Sequence, residues 1–133
     1  MRTIRLLATL VTLHSTPAAA QAIAVSSAEM MAGALAHGVG GAVTQPGERP
    51  YSVRARQVGA RVAVDYPELN CGGTWKLVSA DPVESRFVEI IEYGANRCIN
   101  YGIVVLRDLG AGRIAWTWHS DYYGGVAAVA VMQ

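Results

Sequence analysis

Glu89, His119, Ser120, Asp121 and the only two cysteines, Cys71 and Cys98, are the side chains of this chain best suited to chemistry. The run "WHSDYYGG" invites a triad reading, with Ser120 as nucleophile, His119 as base and Asp121 as its orienter. Alternation opposes that reading. Adjacent residues of an extended backbone point to opposite faces, so three consecutive side chains cannot form the chain of contacts unaided. His14 and His37 lie at the N-terminus and at the end of a helical run, where neither can stand in. A thiol nucleophile would want a nearby histidine, and a metal centre would want more ligands than the sequence clusters. "GVGG" at 38–41 lacks the spacing and the Lys-Ser/Thr of a phosphate loop. The expectation is a protein that is not an enzyme, with no catalytic residue, no metal and no cofactor.

The elements that must position these groups begin after a targeting segment. Arg2 and Arg5 form a basic region, residues 4 to 13 an apolar one, and "TPAAAQA" a small-residue cleavage zone, which reads as a signal peptide over residues 1–20. The apolar run is too short to span a bilayer. No cysteine follows the cleavage zone, so no lipid anchor is expected. The sequence therefore predicts export to a periplasm or beyond, with no membrane insertion once the signal is removed. The chain's 11 basic side chains, less Arg2 and Arg5, leave 9 against 10 acidic ones, or about −1. That balance, without a basic run, excludes nucleic acid as the expected partner. Residues 21–133 suffice for one domain with one core, and 52% apolar composition suits it.

Two cysteines in an oxidising compartment read as one disulfide, Cys71 to Cys98. Turn signals divide the rest. "SSAEMMAGALAHG" predicts a helix over about 27–37, with Ser26 as cap, Glu29 completing a capping box and Gly38 as terminator. Too short to stand alone, it must cover a sheet or close a barrel end. From residue 38 to about 132, eight strands follow at roughly ten-residue spacing: "GVGGAVTQ", "YSVRAR", "RVAVDY", "TWKLVS", "SRFVEIIEY", "CINYGIVVLR", "IAWTWHS" and "VAAVAVM". Alternation sets Tyr51, Val53 and Ala55 on one face, as it does Val62, Val64 and Tyr66, and Ile114, Trp116 and Trp118. On the fifth strand Phe87, Glu89, Ile91 and Tyr93 share a face. The predicted fold is all-β, an antiparallel up-and-down, lipocalin-like barrel of about eight strands, because closure removes exposed edges. A two-sheet sandwich is the alternative.

In a flat meander the two cysteines would start strands two spacings apart, about 9.6 Å. A disulfide wants Cα atoms 4.4–6.8 Å apart. The flanking turns must therefore fold over the end of the strand between them. Pro67, Gly72 and Gly73 are expected to supply the bend, and the staple to narrow one mouth of the barrel.

The pattern Tyr66-Pro67-x-Leu69-x-Cys71-Gly72-Gly73-x-Trp75, then Phe87-x-Glu89-x-Ile91 and Gly94, Cys98, and Ile114-x-Trp116-x-Trp118 resembles a set of uncharacterised bacterial exported domains. Their Tyr-Pro-x-Leu-x-Cys-Gly-Gly segment precedes a second cysteine and a β-rich C-terminal half. The resemblance covers about residues 38 to 132; the Trp-x-Gly entry expected at the first strand is "HGVGGAV" here. It implies a small secreted β domain and brings no activity.

Two regions are left as candidate sites. Tyr66, Trp75, Phe87, Tyr101, Trp116 and Trp118 could line a ligand cavity or simply fill the interior. An inward Glu89 among them would have to be bonded to a tyrosine hydroxyl, an indole N–H or an arginine, or bind a ligand. His119, Asp121, Tyr122 and Tyr123 form a loop suited to a protein partner or to no partner at all. The function expected is a non-enzymatic exported binding module for an envelope protein or small ligand. The alternative is an inhibitor of a cell-wall-degrading enzyme of the lysozyme-inhibitor type, on an analogy of fold.

Overall fold

The computed structural model describes the backbone of residues 26–133 and the side chains from residue 31 onward. The expected signal peptide and the capping side chains of Ser26 and Glu29 lie outside the described residues. The helix α1 (Ser26–His37) ends at Gly38, whose φ is +89° and whose N–H donates to the Leu35 carbonyl at 3.3 Å. Eight strands follow: β1 (Val39–Thr44), β2 (Tyr51–Val58), β3 (Arg61–Tyr66), β4 (Cys71–Ala80), β5 (Glu84–Tyr93), β6 (Ile103–Gly110), β7 (Arg113–Ser120) and β8 (Gly125–Met132). They form one closed antiparallel barrel in sequence order. The sandwich alternative falls, because every strand has two neighbours and no edge is left open.

The seam is narrow. β1 meets β8 through Val43 with Ala130 and Thr44 with Val129. Gly40 and Gln133 add a reciprocal pair of backbone hydrogen bonds, at 3.2 and 3.1 Å.

Two-residue alternation decides what fills the inside. Tyr51, Val53 and Ala55 of β2, Val62, Val64 and Tyr66 of β3, and Ile114, Trp116 and Trp118 of β7 are all buried, as the pattern predicts. Val43, Trp75, Phe87, Val104, Leu106 and Met132 complete the interior. α1 contributes Met31 and Leu35. It touches β2 and β6, strands four places apart in a ring of eight, so it lies across the mouth from which β1 starts. That end is plugged. Turns 45–50, 67–70, 94–102 and 121–124 surround the other.

Bulges interrupt β4 at Val78 and β8 at Ala127, and at the site end β5 and β6 also depart from the simple pattern. β5 carries an extra residue against β4 where Gly72 pairs with Tyr93 and Gly73 with Ile91. The bulge reverses the alternation beyond it. Tyr93 therefore emerges on the outside, where its hydroxyl donates to the Asp65 carboxylate and is pushed up to about 12 by burial and that bond. β6 begins at Ile103 rather than at Cys98, because Asn100 takes the place of a strand partner. Its side-chain oxygen accepts from the backbone N–H groups of Ile91 and Tyr101, each at 2.9 Å. Tyr101, expected inside, turns outward in a left-handed conformation (φ 62°) and is 71% exposed.

Candidate functional site

Cys71 and Cys98 are joined, with Cα atoms 6.3 Å apart. Cys71 is fully buried at the start of β4, and Cys98 lies in the 94–102 turn that folds over the end of β5. The bend that brings them together comes from the 3-10 turn Pro67–Leu69 and from Asn70, at φ 50°. Gly72 and Gly73 serve differently from expectation. Both are in β4, and they matter for space: a Cβ at Gly73 would overlap the Ile90 carbonyl, and one at Gly72 the Tyr93 hydroxyl and the Val64 carbonyl. Gly94 likewise lets the turn settle on Asn70 and Cys71.

This stapled end opens into a cavity of about 140 Å³, whose walls include Tyr51, Tyr66, Trp116, Trp118 and Tyr123. Glu89 is among its lining residues and is only 2% exposed. The Tyr66 hydroxyl donates to Glu89 Oε2 at 2.5 Å and Trp75 Nε1 to the same oxygen at 2.8 Å. Trp118 Nε1 donates to Oε1 at 3.1 Å. The Glu89 backbone is held as firmly, its N–H donating to the Gly102 carbonyl and its carbonyl accepting from the Tyr101 N–H. Strands β3, β4, β5 and β7 thus converge on one carboxylate. Among the described residues no ion pair reaches it.

Burial raises the Glu89 carboxyl above its ordinary range, against the pull of its three donors. Tyr66 is held far above the usual phenol value by burial and by the carboxylate beside it, and Tyr51 is raised by the same two causes. A carboxyl raised on folding binds its proton more tightly in the folded state. Its contribution to stability is full below the ordinary value of 4.5 and is lost as pH rises through its folded value. The exposed Glu68 and Asp81 and the half-buried Glu84 are lowered by hydrogen bonds and run the other way. The stability difference between wild type and Glu89→Gln isolates the buried group. Denaturant midpoints from about pH 4 to about pH 8 should show that difference moving against the wild type as pH rises. A pH-independent difference would contradict it.

Gly102 is buried against the indole of Trp118, and a Cβ there would overlap Nε1, Cε2 and Cζ2. Gly102→Ala must push the indole away from Glu89. The expected cost is about 2–4 kcal/mol in denaturant unfolding, together with shifted tryptophan emission. An alanine variant as stable as wild type would show that the indole moves freely.

Of the expected interior set, Trp75, Glu89, Trp116 and Trp118 are brought together and Tyr101 is not. Tyr51, Gln45 and Arg97 line the cavity without having been singled out as site residues. The inward phase of Tyr51 was legible; the other two sit in turns, where no periodicity speaks. The "HSDYYGG" loop joins the same mouth. Ser120 Oγ accepts from the Tyr122 N–H at 3.1 Å and caps a 3-10 turn, Asp121–Tyr123. Tyr123 meets Trp118 edge-on at 6.2 Å and Tyr122 at 5.0 Å. His119 faces outward, its Nε2 2.9 Å from Thr117 Oγ1, and burial lowers its pKa. Among the described residues His119, Ser120 and Asp121 share no hydrogen bond with one another, and no group of three or more His, Cys, Asp or Glu stands together as a metal site.

A wider trough crosses the outer wall near Arg54, Arg56, Ala63 and Tyr93, but it is open to solvent and presents no buried polar side chain. The built site is the mouth. Comparison with protein-family models, with curated proteins and with solved structures finds no match for the chain.

Proposed function

We propose that the chain is a non-enzymatic exported binding module, kin to the bacterial domains with the Cys-Gly-Gly corner, which takes a small ligand at its open mouth. One observation carries this reading: a cavity of about 140 Å³ that reaches a buried carboxylate held by three neutral donors and, among the described residues, by no ion pair. A space of that size exceeds one or two waters and is close to that of an engineered cavity that holds benzene. Polar groups converging at the base of an aromatic pocket are what orient a ligand.

The second reading is inhibition of a cell-wall-degrading enzyme, favoured by Tyr122, which stands 79% exposed on the rim. An aromatic side chain on a rim loop is a suitable anchor for a cleft. Trp116 and Trp118 line the cavity, so their emission reports its filling. A saturable change with fragments up to benzene size, weakened by Tyr123→Ala, supports ligand carriage. No response to any fragment, together with lysozyme inhibition that Tyr122→Ala abolishes, supports the second reading.

A further inference from the structure

Two charged side chains on the walls of the mouth take no part in the cluster around Glu89. Glu48 and Arg97 both line the cavity. Glu48 lies in the turn 45–50 between β1 and β2, and Arg97 in the turn 94–102 between β5 and β6. Those turns stand four strands apart in a ring of eight, so the two charges are carried on opposite sides of the opening. Both turns are tied down. The Glu48 N–H donates to the Gln45 carbonyl at 3.1 Å and the Arg97 N–H to the Gly94 carbonyl at 2.9 Å. The disulfide at Cys98 anchors the position next to Arg97. Among the described residues no ion pair engages either side chain.

The sign pattern sets the charge that suits the site. A simple cation entering the mouth meets Arg97, and a simple anion meets Glu48 with the Glu89 carboxyl beneath it. Like charges brought together in a confined space repel. A molecule bearing both signs places each against its complement. A guanidinium grips a carboxylate through two parallel N–H bonds, and a carboxylate accepts from an ammonium, so both partners are matched in geometry as well as sign. Because Glu48 and Arg97 border one space of about 140 Å³, a single small molecule reaches both.

Below the charges the walls turn apolar, with Tyr51, Tyr66, Trp116 and Trp118 as rings and Leu69 and Ile99 as aliphatics. A well of that size takes an apolar body of about one benzene ring.

Resting on the binding role just proposed, we infer that the ligand is a small zwitterion with an apolar body, the chemistry of a free α-amino acid with a side chain of about benzene size. Its ammonium lies beside Glu48, its carboxylate on the Arg97 guanidinium, and its side chain in the ring-lined well.

The test uses the purified protein, tryptophan emission and three probes that share one benzyl body. Phenylalanine carries both charges, phenethylamine lacks the carboxylate, and phenylpropanoate lacks the ammonium. Phenylalanine should bind about tenfold or more tighter than either analogue. Arg97→Gln should bring phenylalanine down to the level of phenethylamine without weakening phenethylamine itself. Glu48→Gln should bring phenylalanine down to the level of phenylpropanoate. Both residues are exposed, so neither substitution disturbs the core, and unchanged thermal midpoints check this. An analogue that binds as tightly as phenylalanine overturns zwitterion recognition while leaving ligand binding at the mouth intact. So does a phenylalanine affinity that either substitution leaves unchanged, and so does failure of phenylalanine where uncharged benzene-sized fragments bind. Failure of every fragment, charged or not, removes the underlying reading of the site instead.

Discussion

Replacing Cys71 and Cys98 together by serine should destabilise the barrel by about 3.5 kcal/mol. The bond closes a loop whose ends are 27 positions apart, and its chief effect is to restrict the unfolded chain. Against a total of roughly 5–15 kcal/mol for a domain of this kind, the loss is large. It corresponds to a fall in midpoint temperature of roughly 10–15 °C. Thermal and urea unfolding, with and without reductant, check it. Reductant should lower the wild-type midpoint to that of the double variant and leave the variant unmoved. The local effect should be greatest at the open mouth, because the 94–102 turn carries Cys98, Arg97 and Ile99 to the cavity rim. An unchanged midpoint after full reduction would show that backbone bonds and the close seat of Gly94 hold the turn without the sulfurs.

Glu89→Ala should cost as much or more. It strands the Tyr66 hydroxyl and the N–H groups of Trp75 and Trp118 in the interior. Each buried donor left without a partner costs about 1–3 kcal/mol, so the sum is roughly 3–6 kcal/mol after partial relaxation. Glu89→Gln is milder and more informative. Its amide oxygen can serve one side of the cluster, but its NH₂ must then face an indole N–H, which cannot accept. One unmet donor puts the expected loss near 1–3 kcal/mol. Tyr66→Phe, which frees one lone pair and strands no donor, should cost least. Urea midpoints for the three variants test that order. An alanine variant losing under about 1 kcal/mol would mean that water enters and replaces the carboxylate.

The inward faces of β2, β3 and β7 were legible because their apolar and polar residues alternate without interruption. Glu89 was legible as an inward carboxylate needing a hydroxyl or indole partner. Which partners it takes was not, because Tyr66, Trp75 and Trp118 come from three other strands and meet only through the registers of a closed sheet. Tyr93 was misplaced for a local reason: one extra residue in β5 inverts every later side chain, and "EIIEYG" gives no sign of it. Tyr101 failed similarly. "CINYG" has the composition of a strand, yet the Asn100 side chain captures the Ile91 N–H that a strand would have used. The glycine pair beside Cys71 pointed to a special backbone, but what makes it special is a clearance that only the packed neighbours define.

The β1–β8 junction has a kinetic meaning. Every other ladder joins strands consecutive in the chain, whereas Val43 must find Ala130. Local hairpins can zip early, but the final stave waits on an encounter between distant parts of the polymer, which slows assembly far more than it weakens the product. With so few rungs at that joint, the cylinder should breathe there first, and the sulfur bridge, lodged on the far side of the wall, does nothing to guard it.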